Sequence, residues 1–229
     1  MPFLSGDPDL LTVTSCGRVW YLERENMERL WDSMIDFATE DERLPYWAEL
    51  WPSSLVLASW LQTQAALIQD KMCLDIGCGI GFTALVGQWL GARVIGMDYE
   101  PQALAFARRN AVRNGISQPW WIAMDWRCPA LAADSIDVAW GGDIMYESRF
   151  AGPLADFLRY VLKPGGVAFV AEPSRQVYEA FFPTAAQRSL GMCCVHREEV
   201  TAVVPQERSV PVHVWRIVND RESVSGPGR

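Results

Sequence analysis

Leu74-Asp75-Ile76-Gly77-Cys78-Gly79-Ile80-Gly81 sets three glycines, alternating with other residues, between an apolar run and a helical pattern, with an acid two places before the first glycine. Glycine lets a backbone turn sharply and lets a ligand approach it closely. Where such a turn opens a helix, unpaired N–H groups face that ligand. The stretch therefore reads as strand, binding loop, helix.

Outward from it, short apolar runs alternate with helical patterns. Met72–Ile76, Arg93–Met97, Trp120–Met124, Ile136–Trp140 and Val167–Ala171 read as strands. Phe82–Leu90 stops at Gly91, Pro101–Arg113 opens on a proline and ends before Gly115, and Arg149–Leu162 ends at Lys163-Pro164-Gly165-Gly166, so these read as helices. The alternation predicts an α/β, Rossmann-like doubly wound sheet, mostly parallel, with helices on both faces. After a helix over Ser174–Phe182, broken at Pro183, Leu190–His196 and Val210–Val218 follow with no helix between them. They predict a closing antiparallel C-terminal hairpin. Before the core, Leu10–Thr14 and Arg18–Leu22 read as a small hairpin, and Asn26–Ala38 and Ser53–Ala65 as two helices. The expected division is a hairpin and helical cap over residues 1–66, in the same domain as a core over residues 67–218, and a frayed tail over residues 219–229.

A chain of 229 residues, half of them hydrophobic, suits one domain with a substantial core. No apolar stretch reaches the roughly 18 residues of a membrane span, and Met1–Asp9 lacks the basic start and apolar block of a signal peptide, so a soluble cytoplasmic protein is expected. Cys16, Cys73, Cys78, Cys128, Cys193 and Cys194 show no C-x-x-C spacing, which points to neither a zinc site nor a disulfide framework, and no metal is expected. A net charge of −8 argues against binding a phosphate backbone unaided. His196 and His213 fall in the terminal strands and read as structural.

A glycine-rich turn alone would also suit a dinucleotide. Asp75 decides between the readings, because a carboxylate there repels a pyrophosphate but attracts the ammonium of a methionine-like moiety, directly or through water. The next strand ends at Asp98, which can accept both hydroxyls of a ribose lying across the strand ends. The third ends at Asp125-Trp126, where the carboxylate can accept an adenine amino group and the indole can stack on the base. Three acids at three successive strand ends predict an S-adenosylmethionine site built from Asp75, Gly77, Cys78, Gly79, Gly81, Asp98, Tyr99, Asp125 and Trp126.

The glycine loop and the later Lys163-Pro164-Gly165-Gly166 turn, in that order, resemble the class I, seven-stranded S-adenosylmethionine-dependent methyltransferases over roughly Met72–Val218. Two further features are similar to the D-x-x-Y protein-lysine methyltransferases, a group that includes the enzymes modifying the electron-transfer flavoprotein β subunit. One is Trp47-Ala48-Glu49-Leu50-Trp51-Pro52, which leads into a helix; the other is Asp143-Ile144-Met145-Tyr146 after the fourth core strand. The resemblance implies Asp143 and Tyr146 at an acceptor amine, Trp51 beside the cofactor, and S-adenosylhomocysteine as product. It implies a protein-lysine N-methyltransferase, with an electron-transfer flavoprotein subunit as one conceivable partner. A small-molecule amine methyltransferase on the same fold, or a silent cofactor-binding module, are the alternatives. No Asn-Pro-Pro-Tyr-like run follows the fourth strand, which favours a flexible alkyl amine over a planar amide or adenine amine. Glu172, at the end of the fifth core strand, reads either as a channel residue or as a helix cap.

Overall fold

The computed structural model describes residues 9–26, 45–174, 176–202 and 208–221. Strands β3 (Met72–Ile76), β4 (Arg93–Asp98), β5 (Trp120–Ala123), β6 (Ile136–Gly142), β7 (Leu162–Glu172), β8 (Leu190–Ala202) and β9 (Arg208–Asn219) form one sheet in the order β5-β4-β3-β6-β7-β9-β8. The first five run parallel, while β9 is antiparallel to both β7 and β8. Strand β3 lies at the switch point, with β4 on one side and β6 on the other. A crevice opens at such a point, where the connecting loops turn apart. The glycine loop follows β3 and occupies it.

The sheet is a core layer because its central strands are apolar on both faces, as Cys73, Leu74 and Ile76 are in β3. Helices α1 (Pro52–Thr63), α3 (Phe82–Trp89) and α5 (Ala151–Val161) cover it, with the single turn α2 (Ala65–Ile68) leading into β3. Leu57, Leu61, Val94 and Trp140 meet in one apolar cluster, and Leu74, Leu154, Leu158 and Phe181 in another. The two clusters share no buried residue, as expected for opposite sides of one sheet. Helix α4 (Pro101–Arg113) carries Asn110 and Asn114, whose buried amides bond the backbone of the N-terminal hairpin, β1 (Leu10–Ser15) and β2 (Arg18–Glu23), at Tyr21 and Glu23. The hairpin is thus held against the core rather than trailing from it.

Three local expectations change. The helix read over Ser174–Phe182 is α6 (Val177–Ala186), and it runs through Pro183 instead of stopping there. Buried Phe181 and Ala185 on either side of the proline pack into the core, which offsets the one N–H that proline lacks. Lys163-Pro164-Gly165-Gly166 lies inside β7, at a register shift against β6 between Ile136 and Val138. The terminal hairpin is longer than its apolar runs, because Arg197, Glu198 and Glu199 continue β8 with exposed charges. At the far end, buried Asn219 closes β9 by donating its amide to the carbonyls of Leu162 and Lys163. The expected Asn26–Ala38 helix, after its first residue, and residues 222–229 lie outside the described residues.

Candidate active site

The loop after β3 is fastened at both ends. Cys78 N donates to Met97 O at 2.9 Å, and Gly81 N to Cys78 O at 2.8 Å. Gly79 has φ +51°, and a Cβ there would stand 2.9 Å from Trp47 O, so this turn is a cradle that any side chain would fill. Gly81, at φ +90°, is the N-cap of α3, and a Cβ there would meet Ala107 Cβ at 2.7 Å. It brings α3 against α4.

Around this loop lies a cavity of about 250 Å³. Ten of the twelve residues read from the sequence line it: Trp51, Gly77, Cys78, Gly79, Asp98, Tyr99, Asp125, Trp126, Asp143 and Tyr146. Asp75 and Gly81 do not. Asp75 is fully buried behind the loop, its Oδ2 accepting the Thr83 hydroxyl at 2.7 Å, and Thr83 is what reaches the cavity. Burial pushes the Asp75 carboxyl up to about 7, against the Thr83 hydrogen bond. Of the two expected modes, direct or through water, burial closes off direct contact of Asp75 with a ligand ammonium, and the carboxylate supports the loop from beneath.

Asp98 ties the second strand to the loop. Its Oδ2 accepts Gly79 N at 2.8 Å and its Oδ1 accepts Glu100 N at 2.9 Å. Burial raises it to about 6, opposed by those two backbone donors. Asp125 lines the cavity while chelating Arg127, at 2.6 Å to the nearest guanidinium nitrogen, and this partner lowers its pKa.

Asp143 follows the last residue of β6 with φ +55°, a left-handed conformation that aspartate tolerates better than most residues. Its N–H donates to Ala171 O at 2.8 Å, which fixes the turn against β7. Three residues on, Tyr146 is part of a chain of edge contacts. Trp51 meets Tyr46 at 5.8 Å between centroids, Tyr46 meets Tyr146 at 5.3 Å, Tyr146 meets Phe150 at 5.2 Å, and Phe150 meets Trp126 at 5.7 Å. Trp51 is further held by donating its indole N–H to Tyr46 O at 3.0 Å. Five rings thus wall the cavity, linking the Asp143 end to the Trp126 end.

Tyr46, Glu49, Glu100, Glu147 and Phe150 line the cavity without having been singled out from the sequence. Tyr46 immediately precedes the Trp47–Pro52 segment. Phe150 closes a single 3-10 turn, Ser148–Phe150, which has no periodicity to read. Among the described residues, six lining carboxylates, at Glu49, Asp98, Glu100, Asp125, Asp143 and Glu147, face two lining cations, Arg127 and Arg149. Such a cavity suits a cationic ligand. Glu172 lies outside it, accepting the Trp215 indole N–H at 3.0 Å beside His213.

Residues 73–166 match a family model described as a methyltransferase domain. Ribosomal protein L11 methyltransferases are similar over part of their length. That of Pasteurella multocida is 32% identical over 120 residues, covering 51% of this chain and 38% of the relative. That of Pseudomonas paraeruginosa is 34% identical over 151 residues, covering 58% and 47%. The chain thus spans less than half the length of these relatives. Among solved structures, a T. thermophilus 16S rRNA N2 methyltransferase in complex with AdoMet and guanosine superposes with a TM-score of 0.62 at 14% identity, over 91% of this chain and 50% of that one. The YcgJ protein of Bacillus subtilis gives 0.60 at 12% identity, over 72% and 99%. With its strand order, its antiparallel final pair and this family match at the glycine loop, the chain carries the fold of the class I S-adenosylmethionine-dependent methyltransferases.

Proposed function

We propose that the chain is an S-adenosylmethionine-dependent methyltransferase whose acceptor is the side-chain amine of a lysine in a protein. The observation that carries the reading is that Asp143 and Tyr146 open on the same acid-lined cavity as the glycine loop and Asp98. The cofactor fits the residues present: a turn that tolerates no side chain at Gly79, a carboxylate at Asp98 for the ribose hydroxyls, and Asp125 with Trp126 for the base. Bound S-adenosylmethionine supplies a methyl group on a positively charged sulfur and leaves as S-adenosylhomocysteine.

The chain's own residues then have to deliver a neutral amine. A free lysine has a pKa of about 10.4, so holding it neutral near pH 7 costs about 5 kcal/mol. Asp143 works against that, since a carboxylate stabilises the ammonium; its role is to capture the lysine and aim the nitrogen by accepting its N–H. The wall of Tyr46, Tyr146 and Phe150 excludes water and favours the neutral form on desolvation, while its faces still tolerate a cation as it enters. The ammonium proton leaves to water at the mouth before the nitrogen attacks in line. The L11 relatives are named for methylating a protein, which supports a protein acceptor. Incubation with labelled cofactor and either ribosomal protein L11 or an electron-transfer flavoprotein tests this. Transfer to a protein is expected, and label appearing only on small amines would replace the reading with a small-molecule one.

The raised carboxyls give a pH dependence. Their values of about 7 and about 6 in the folded chain exceed the unfolded value near 3.9. Their contribution to stability is therefore complete below about pH 4 and is lost as pH rises through about 6 and about 7. A cationic ligand instead favours the ionised form of Asp98, the one of the two that lines the cavity. Binding should release protons, and affinity should strengthen from about pH 5 to about pH 7. Calorimetric titrations in buffers of different ionisation enthalpy count those protons; an affinity flat across this range contradicts the assignment.

A further inference from the structure

Gly142, the last residue of β6, is pressed against the start of α1: a Cβ there would stand 2.8 Å from Ser54 Oγ and 3.2 Å from Ser54 N. Across the switch point, a Cβ on Gly77 would stand 3.0 Å from Ile144 Cγ2. Ser54, Gly77 and Gly142 all line the cavity, between the ends of β3 and β6, whereas Asp125 and Trp126 follow β5, two strands away from β3. Ser54 Oγ has no hydrogen-bond partner among the described residues. We propose that this hydroxyl receives the carboxylate at the methionine end of S-adenosylmethionine, an inference that rests on the cofactor reading above.

Charge makes the placement of that carboxylate a problem the chain has to solve. The ligand brings an anionic group into a cavity whose lining acids outnumber its lining cations. With the ribose on Asp98 and the base at Asp125 and Trp126, the methionine chain runs over the glycine loop toward the gap between β3 and β6. Neither lining arginine serves that gap: Arg127 chelates Asp125 past β5, and Arg149 pairs with Glu147 at 2.7 Å. The carboxylate must therefore be met by neutral donors. Thr83 also lines the cavity, but its hydroxyl is spent on Asp75 at 2.7 Å, and Tyr46 and Tyr146 belong to the acceptor wall. Ser54 is the third residue of α1, so its hydroxyl stands in a first helical turn, where backbone N–H groups favour an anion. The absence of a side chain at Gly142 keeps that hydroxyl uncovered.

The test is calorimetric and needs no acceptor. Two probes are titrated, S-adenosylmethionine and its decarboxylated form, which keeps the sulfonium and the amine but lacks the carboxylate. The acidic lining by itself favours the decarboxylated probe, so a preference for the intact cofactor has to come from donors to its carboxylate. Wild type should bind S-adenosylmethionine at least about tenfold more tightly than the decarboxylated probe, and Ser54→Ala should lose about tenfold on S-adenosylmethionine while binding the decarboxylated probe as wild type does. The unchanged second affinity shows that the variant is folded. Ser53→Ala, on the same turn but outside the cavity, should keep the wild-type preference. A Ser54→Ala protein that retains the full preference overturns the assignment, as does a Ser53→Ala protein that loses as much of it. Wild type that binds both probes equally also overturns it. Wild type that binds neither overturns the cofactor reading itself, and the Ser54 assignment with it.

Discussion

Replacing Asp143 by Asn should lower methyl transfer about 10- to 100-fold while leaving S-adenosylmethionine affinity within about twofold, because one charge-assisted hydrogen bond to the acceptor amine is worth about 1.5 to 3 kcal/mol. Asparagine is the informative choice. At φ +55° it keeps the left-handed turn that alanine would strain, and it preserves the N–H bond to Ala171 O, so the change removes the charge without disturbing the turn. Isothermal titration gives the affinity, and single-turnover labelling gives the rate. Equal losses in both would mean that Asp143 holds the cofactor or the fold rather than the acceptor.

Asp98→Ala should reverse the pattern. Two hydrogen bonds from ribose hydroxyls to a carboxylate, each worth about 1.5 to 3 kcal/mol, amount to a loss of cofactor affinity of at least about 100-fold. The same change frees Gly79 N and Glu100 N, which Asp98 holds, so the loop loses its fastening as well. Asp98→Asn should fall between, since its amide oxygen can still accept one bond. Transfer at saturating cofactor should recover much of the wild-type rate in both variants. An Asp98→Ala protein that binds the cofactor normally would remove the ribose assignment.

Why some of this could be read in advance, and some could not, follows from the range of the forces involved. The sheet is legible because parallel strands buried on both faces are apolar runs, as in β3, and because the loop glycines mark a turn that the backbone itself demands. The strand-end acids were legible as positions: Asp98, Asp125 and Asp143 all reach the cavity. Their environments were not. Asp75 looks equivalent to Asp98 in the sequence, yet one is sealed behind Thr83 and the other lines the cavity, a difference set by how α3 packs on the loop. Tyr46 and Phe150 join the wall through contacts with residues about a hundred positions away or across a single 3-10 turn, and neither leaves a local period. Pro183 shows the opposite case, where a strong local signal for a break yields to the burial of Phe181 and Ala185.

Arginine 127 and Glu49 illustrate a third limit. The salt bridge of Arg127 with Asp125 is local and could be guessed, whereas Glu49 meets Arg24 at 2.6 Å across the gap between the N-terminal hairpin and the aromatic segment. Burial raises the Glu49 carboxyl, and only the folded arrangement places Glu49, with Arg24 behind it, at the cavity wall.

The most direct test of the account is the identity of the methylated atom. A protein acceptor labelled by this chain from S-adenosylmethionine is hydrolysed to amino acids, and the label is located by mass spectrometry. Label is expected on the side-chain nitrogen of lysine; label confined to arginine, glutamine or a carboxyl ester would overturn the lysine assignment.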